Sequence, residues 1–300
     1  MPIIEIQGVP HAYELTPPVT NLSSPVLIFI HGWLLSHKYW QPLIEQLAAK
    51  HQCLCYDLRG FGDSQDQELV TEAKNCVEEK YTLAAYAQDL SVMLEKLDIK
   101  EAWLIGHSLG GSVALWGADV CGDRVKGVIC LNSGGGIYLE EEFARFRVFG
   151  EQLVKSRPSW LLHLPLIDWL FARLMVARPL DVSWGRQRVI DFLKADGVAA
   201  RGTLLESTTE AEVHVLPQIV SRLQQPVYFL AGIQDKIMEP KYVHHLASFH
   251  YLFSYNANNV FEIPDCGHMS MIEQPEIVFT QISLILEKHE SSSAGLNLIK

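Results

Sequence analysis

Short, mainly apolar runs alternate along this chain with longer stretches whose apolar residues recur every three or four positions, a pattern that predicts strands alternating with helices. Ile3 to Ile6 and Ala12 to Leu15, parted by Gly8 and Pro10, predict an opening hairpin, and Val26 to Ile30 a buried strand running into His31-Gly32-Trp33. A helical period follows from Tyr39 to Lys50. Cys53 to Tyr56 is the next strand, ending at Asp57-Leu58-Arg59-Gly60-Phe61-Gly62-Asp63-Ser64. The acidic, polar stretch from Gln65 to Lys80 predicts an exposed loop, and Leu83 to Leu97 a helix. The runs before Gly106, at Val125 to Leu131, Val227 to Ala231 and Val260 to Ile263 are continuous enough to be buried on both faces of a mainly parallel sheet. Helical segments interrupt the alternation between residues 136 and 226, and Ser291 to Lys300 reads as a loose tail.

Composition narrows the function classes. With 300 residues and 48% hydrophobic content, the chain can build one large α/β domain carrying an insertion. A net charge of −11 without any run of Lys or Arg argues against a nucleic-acid partner, because phosphate binding requires clustered cations. The first residues lack a basic segment followed by an apolar one, and no charge-free stretch of about 18 residues is apolar throughout, so the expectation is a cytoplasmic protein without an integral membrane segment. The cysteines, at 53, 55, 76, 121, 130 and 266, have neither the paired spacing of a zinc site nor the density of a disulfide scaffold. Cys53 and Cys55 read as small core residues on one strand face. No metal and no cofactor are expected.

The chemistry centres on Gly106-His107-Ser108-Leu109-Gly110, where an apolar run meets a helical pattern. Gly-x-Ser-x-Gly in that context predicts a sharp strand-to-helix turn that holds the serine hydroxyl exposed, with small residues at 106 and 110 letting strand and helix pass closely. Ser108 is therefore the candidate nucleophile.

Four blocks in order, His31-Gly32-Trp33, the Asp57 to Ser64 turn, the Gly106 to Gly110 turn and Asp265-Cys266-Gly267-His268, resemble the α/β-hydrolase family. The resemblance implies an α/β fold with a mainly parallel, doubly wound sheet, a core from 1–136 and 226–290, a helical cap inserted at 137–225, and a flexible tail at 291–300. It implies the chain order nucleophile, acid, histidine, which points to Asp235 as the acid and His268 as the base; Asp265 is a rival by proximity. It also implies an oxyanion hole made by the backbone N–H groups of Trp33 and Leu109. His31 and His107 are expected to orient loops, and His244, His245 and His250 to lie at the surface.

The function this favours is a serine hydrolase that cleaves a carboxylic ester, thioester or lactone through an acyl-enzyme. Two alternatives stay open: other chemistry on the same triad, such as carbon–carbon bond hydrolysis or cofactor-free peroxidation, and a non-catalytic ligand receptor. Ser108 argues against the haloalkane dehalogenase and epoxide hydrolase branches, where an aspartate takes its place. The apolar stretch Trp160 to Met175 has two readings, a cap helix packed on the core, or a wall for a lipophilic small molecule with transient membrane contact. On the second reading Trp160, Leu170 and Phe171 are candidate substrate-binding residues. Gly134-Gly135-Gly136 reads either as a hinge into the cap or as room for substrate to approach the backbone.

Overall fold

Successive residues of each apolar run face opposite sides of one sheet, and both sides are covered. In strand β3 (Val26–Ile30), Leu27 and Phe29 join one buried cluster while Ile28 and Ile30 join the other. The computed structural model describes residues 1–19, 24–65, 79–135, 140–254 and 259–296. Preceding β3 is the expected hairpin of β1 (Ile3–Ile6) and β2 (Val9–Leu15), and following it are β4 (Cys53–Tyr56), β5 (Ala102–His107), β6 (Val125–Leu131), β7 (Val227–Gly232) and β8 (Val260–Ile263). They form an eight-stranded sheet in the order β1-β2-β4-β3-β5-β6-β7-β8, antiparallel only at the β1–β2 and β2–β4 pairs. Cys53 and Cys55 do share a buried face.

Helices α1 (Gln41–Leu47), α2 (Leu83–Lys96) and α3 (Leu109–Cys121) follow β3, β4 and β5. The inserted region holds α4 (Glu140–Lys155), α5 (Ile167–Phe171), α6 (Val182–Lys194), α7 (Gly197–Ser207) and α8 (Glu210–Arg222). Beyond β7 come α9 (Pro240–Ala247), α10 (Tyr251–Ser254), α11 (Ser270–Glu273) and α12 (Pro275–Leu296). α2, α3, α8 and α9 cover the face of Ile28, and α1 and α12 the face of Leu27.

Three sequence expectations are corrected. α8, inside the expected cap boundaries of 137–225, buries Leu216, Ile219 and Val220 in the sheet cluster, because its apolar stripe faces α3. The expected tail from Ser291 is helical through Leu296 as a continuation of α12, and 297–300 lie outside the described residues. His250 is buried rather than at the surface, its Nε2 hydrogen-bonded to the Gln225 carbonyl at 3.0 Å. Of the expected 65–80 loop, residues 66–78 lie outside the described residues, as does Gly136 of the triple glycine.

The insertion is fastened to the core by buried polar contacts. Asp191 of α6 accepts from Ser36 Oγ at 3.0 Å, and α7 sits on the Asp57–Ser64 turn so closely that a Cβ at Gly60 would fall 2.1 Å from Ala199 Cβ. Among the described residues no helix is long and apolar enough to cross a membrane.

Candidate active site

Parallel strands bring their carboxyl ends to one edge of a sheet, and loops leaving those ends are the usual place for a site in α/β folds. Here β3 delivers His31-Gly32-Trp33 to that edge, β5 Ser108, β6 Asn132, β7 Asp235 and β8 His268.

At the end of β5 the chain reverses into α3 through Ser108, whose φ of 53° and ψ of −119° are disfavoured for any side chain. The turn is tight enough to demand its glycines. A Cβ at Gly106 would lie 2.1 Å from the Gly110 carbonyl oxygen, and one at Gly110 would lie 2.2 Å from that of Ile30. The backbone N–H of Leu109 is the first of α3 and so has no acceptor within the helix. Trp33 stands across from it on the β3 loop, its indole N–H donating to the Ala200 carbonyl of α7 at 2.9 Å.

Asp235 is buried, and its neighbours saturate its carboxylate. Oδ1 accepts from the backbone N–H groups of Ile237 at 2.8 Å and Met238 at 2.9 Å. Oδ2 accepts from Asn132 Nδ2 at 2.9 Å and pairs with His268 Nδ1 at 2.7 Å. Burial alone would push this carboxyl up, but the His268 ring and the two N–H groups outweigh it and hold the group below the usual carboxylate range. An ionised carboxylate only accepts, so the Nδ1 proton belongs to His268, and in the neutral ring Nε2 is then the acceptor. Ser108 Oγ lies 3.1 Å from that Nε2. Asp265, the rival, points away and pairs with Arg178 at the surface.

The His268 loop is held on several sides. Its backbone N–H donates to the Met175 carbonyl at 2.8 Å, and its carbonyl accepts from His107 Nε2 at 2.7 Å. Burial first, and the neighbouring His268 ring second, lower the His107 pKa to about 3, so that ring is a neutral donor. His31, likewise lowered mainly by burial, accepts from the Leu58 N–H through Nε2 and donates through Nδ1 to the Gly32 carbonyl, which orients the Trp33 loop. Both histidines thus orient loops, as expected.

Two supporting residues escape a reading of the sequence. Asn132 bridges Asp235 and the Gly267 carbonyl, the latter at 3.0 Å; its left-handed φ of 49° at a strand end, a conformation Asn tolerates, is the signal that marks it. Glu273 accepts from Gly267 N–H at 2.9 Å and Met269 N–H at 2.8 Å on either side of His268, and from Ala177 N–H at 2.7 Å in the insertion. Nothing in its spacing reveals that role.

Ser108 opens into a cavity of about 100 Å³ walled by Trp33, Leu109, Phe146, Leu204, Ile237 and Met238, with the hydroxyls of Ser112, Ser133, Ser207 and Thr208 interspersed. Ser133 Oγ is buried without a hydrogen-bond partner among the described residues. The three cap candidates lie elsewhere, a correction to the sequence reading: Trp160 and Leu170 are exposed, and Phe171 packs on Phe192 with ring centres 5.9 Å apart. The one-turn helix α5 directs Ile167 and Ala172 inward, and that leaves Leu170 on the outer side. Among the described residues no group of His, Cys, Asp or Glu has the arrangement of a metal site.

Comparison with known proteins agrees with this architecture. The chain is 22% identical over 260 residues to 3-oxoadipate enol-lactonase 1 of Acinetobacter baylyi, covering 85% of each. It is 29% identical over 222 residues to 2-succinyl-6-hydroxy-2,4-cyclohexadiene-1-carboxylate synthase of Photorhabdus laumondii, covering 71% of each. Proteins of Enterobacter cloacae and Escherichia coli provisionally named carbamate hydrolases RutD align at 30% and 31% identity, and the chain spans only 58% of their length. Among solved structures, a thermophilic esterase from Thermogutta terrifontis shares the fold with a TM-score of 0.71 at 24% identity, over 96% of this chain and 99% of that one. The model of the α/β-hydrolase family matches residues 27–281. That match runs from β3 into α12, and the chain belongs to the α/β-hydrolase family.

Proposed function

We propose that this chain is a serine hydrolase that cleaves a carboxylic ester, open-chain or cyclic, of a small molecule. The observation that carries the reading is the hydrogen-bonded line from Ser108 Oγ through His268 to Asp235, opening on a cavity. A serine hydroxyl is too weakly acidic to attack an ester unaided, and Nε2 of neutral His268 is placed to take its proton as Oγ bonds to the carbonyl carbon. Asp235 stabilises the imidazolium that results. The N–H groups of Leu109 and Trp33 receive the oxyanion, aided by the positive end of α3. His268 then protonates the departing alcohol, and a water attacks the acyl-enzyme by the same route in reverse.

The cavity supports a short acyl group. A site of about 150 Å³ accommodates benzene, and this one is smaller, so a chain of a few carbons fills it. Its mostly apolar wall favours a lipophilic acyl group, and the Ser112 hydroxyl gives one polar atom of the substrate a place to bond. The enol-lactonase relative, matched over 85% of its length, supports cleavage of a cyclic ester.

A fluorophosphonate probe tests the nucleophile: it should label the wild type and spare Ser108→Ala. On p-nitrophenyl acetate and butyrate, Ser108→Ala and His268→Ala should each lose about 10⁴-fold or more in kcat, and the double variant no further factor of that size, because the groups act as a unit. Equal labelling of Ser108→Ala sinks the proposal. Turnover of a small diketone with inert esters would favour the carbon–carbon reading, and binding of either without turnover the receptor.

A further inference from the structure

A concentration of exposed apolar side chains lies on the insertion, along the segment from Trp160 to Met175. Leu166 is 76% exposed, Trp160 58%, and Trp169, Leu170 and Met175 between 45% and 47%. Single exposed apolar residues are ordinary, but a concentration of this kind marks a contact surface. Trp169 and Leu170 lie on α5, Leu166 caps its N-terminal end and Arg173 follows two residues past its last turn, so the four cluster at one exposed stretch. Ile167 and Ala172 of the same segment are buried. α5 is thus apolar on both its inner and its outer side. Leu166 and Met175 are also held at φ of 65° and 58°, a left-handed conformation unfavourable for either side chain.

Charge separates the candidates for what covers this face. Residues 155–178 contain Lys155, Arg157, Arg173 and Arg178 against a single acid, Asp168. Arg178 is paired with Asp265, Asp168 with Arg186, and Arg157 donates to the Val154, Phe192 and Ala195 carbonyls, which leaves Lys155 and Arg173 as exposed cations without an acidic partner among the described residues, in a chain of −11. Arg173 lies over the Trp169 ring, 3.9 Å from its centre, and so presents cation and indole together. A second copy meeting this face about a two-fold axis would set the same cations against each other. A surface of anionic lipid headgroups pairs with them, while Leu and Trp side chains enter the interfacial zone where both are favoured. The acidic remainder of the molecule is repelled from such a surface, which fixes the orientation.

We propose that the outer face of residues 160–175 docks on anionic lipid bilayers. The proposal rests on the exposed face and its charge, and stands whether or not the ester reading does.

Sedimentation with sucrose-loaded vesicles tests it, using phosphatidylcholine alone and phosphatidylcholine with one third phosphatidylglycerol, at low salt. Wild-type protein should bind the anionic vesicles at least tenfold more tightly than the neutral ones, since each cation contributes about fivefold near such a surface. Binding should weaken as salt rises. Leu166→Asp with Trp169→Ser should reduce binding at least tenfold, and Arg173→Glu should remove the preference for anionic lipid. Neither Leu166 nor Trp169 lines the cavity, so the melting temperature, and any turnover of p-nitrophenyl acetate, should stay within error of wild type and certify the fold. Absence of wild-type binding, or equal binding by the double variant, overturns the proposal. So does a dimer in sedimentation velocity that Leu166→Asp dissociates while vesicles are ignored, which gives the face to a second copy.

Discussion

Replacing Asp235 by Asn changes one atom and reverses the logic of the site. In the wild type, Oδ1 receives two backbone N–H groups and Oδ2 receives His268 Nδ1–H and Asn132 Nδ2. An amide has one acceptor oxygen, and the fixed N–H groups of Ile237 and Met238 claim it. Its NH₂ then faces His268 Nδ1 and the NH₂ of Asn132. The imidazole can bond to it only by moving its proton to Nε2, and the nitrogen beside Ser108 Oγ stops being a base. A wrong tautomer in this role lowers kcat by about 10⁴, on the order of 5 kcal/mol of activation free energy. The clash of donors at Asn132 adds a stability loss of about 1–3 kcal/mol. Steady-state hydrolysis of p-nitrophenyl butyrate beside thermal melts measures both. Asp265→Asn is the control, because its carboxylate pairs with exposed Arg178, and its kcat should stay within about threefold. Retention of kcat within tenfold by Asp235→Asn, or a larger loss in Asp265→Asn, refutes the assignment.

Gly110→Ala should destabilise by about 3 kcal/mol or more, since its Cβ would meet two backbone carbonyls within 2.5 Å, whereas Gly122→Ala, with nothing within 4 Å, should cost about 1 kcal/mol through its positive φ alone; urea unfolding ranks them. His37 is opposed by burial and by Lys38 but raised above its usual value by the hydrogen bond and charge of Asp57 and by Glu14. Its stabilisation is therefore complete below the unfolded value of about 6.5 and fades as pH rises through the folded one, so the gap in urea midpoint between wild type and His37→Gln should narrow from pH 6 to pH 9; a constant or widening gap contradicts this. Wild type should hydrolyse acetate to butyrate esters at least tenfold faster in kcat/KM than octanoate, and Phe146→Ala, which removes part of the cavity wall, should move the optimum to longer chains; a profile indifferent to that change places the acyl group elsewhere.

What the sequence discloses depends on how local the encoding is. The turn at Ser108 is legible because steric demands at Gly106 and Gly110 leave glycine as the residue that fits, and the strands because both faces are buried. Asp235 is legible only through the order of blocks, since nothing in its neighbourhood says that it meets His268, 33 residues on. Asn132 and Glu273 act through backbone groups that folding brings close, at separations the chain does not announce. The cap residues are misread for a different reason. Apolarity shows that a segment avoids water and does not say which side of a short helix faces inward, so Trp160 and Leu170 are expected at the cavity and stand outside it. His250 errs in the opposite sense, buried because the Gln225 carbonyl satisfies its ring.

The grip of residues 175–177 on the His268 loop bears on how this chain could be re-engineered. A chimera that imports a complete foreign insertion would discard the Met175 carbonyl that receives the His268 N–H and the Ala177 N–H that Glu273 holds. Its altered substrate range would then be inseparable from a loosened His268 loop. Grafts confined to α4 and α7 exchange Phe146, Leu204 and Ser207 while keeping that splice intact, so specificity can be traded there without retuning the histidine.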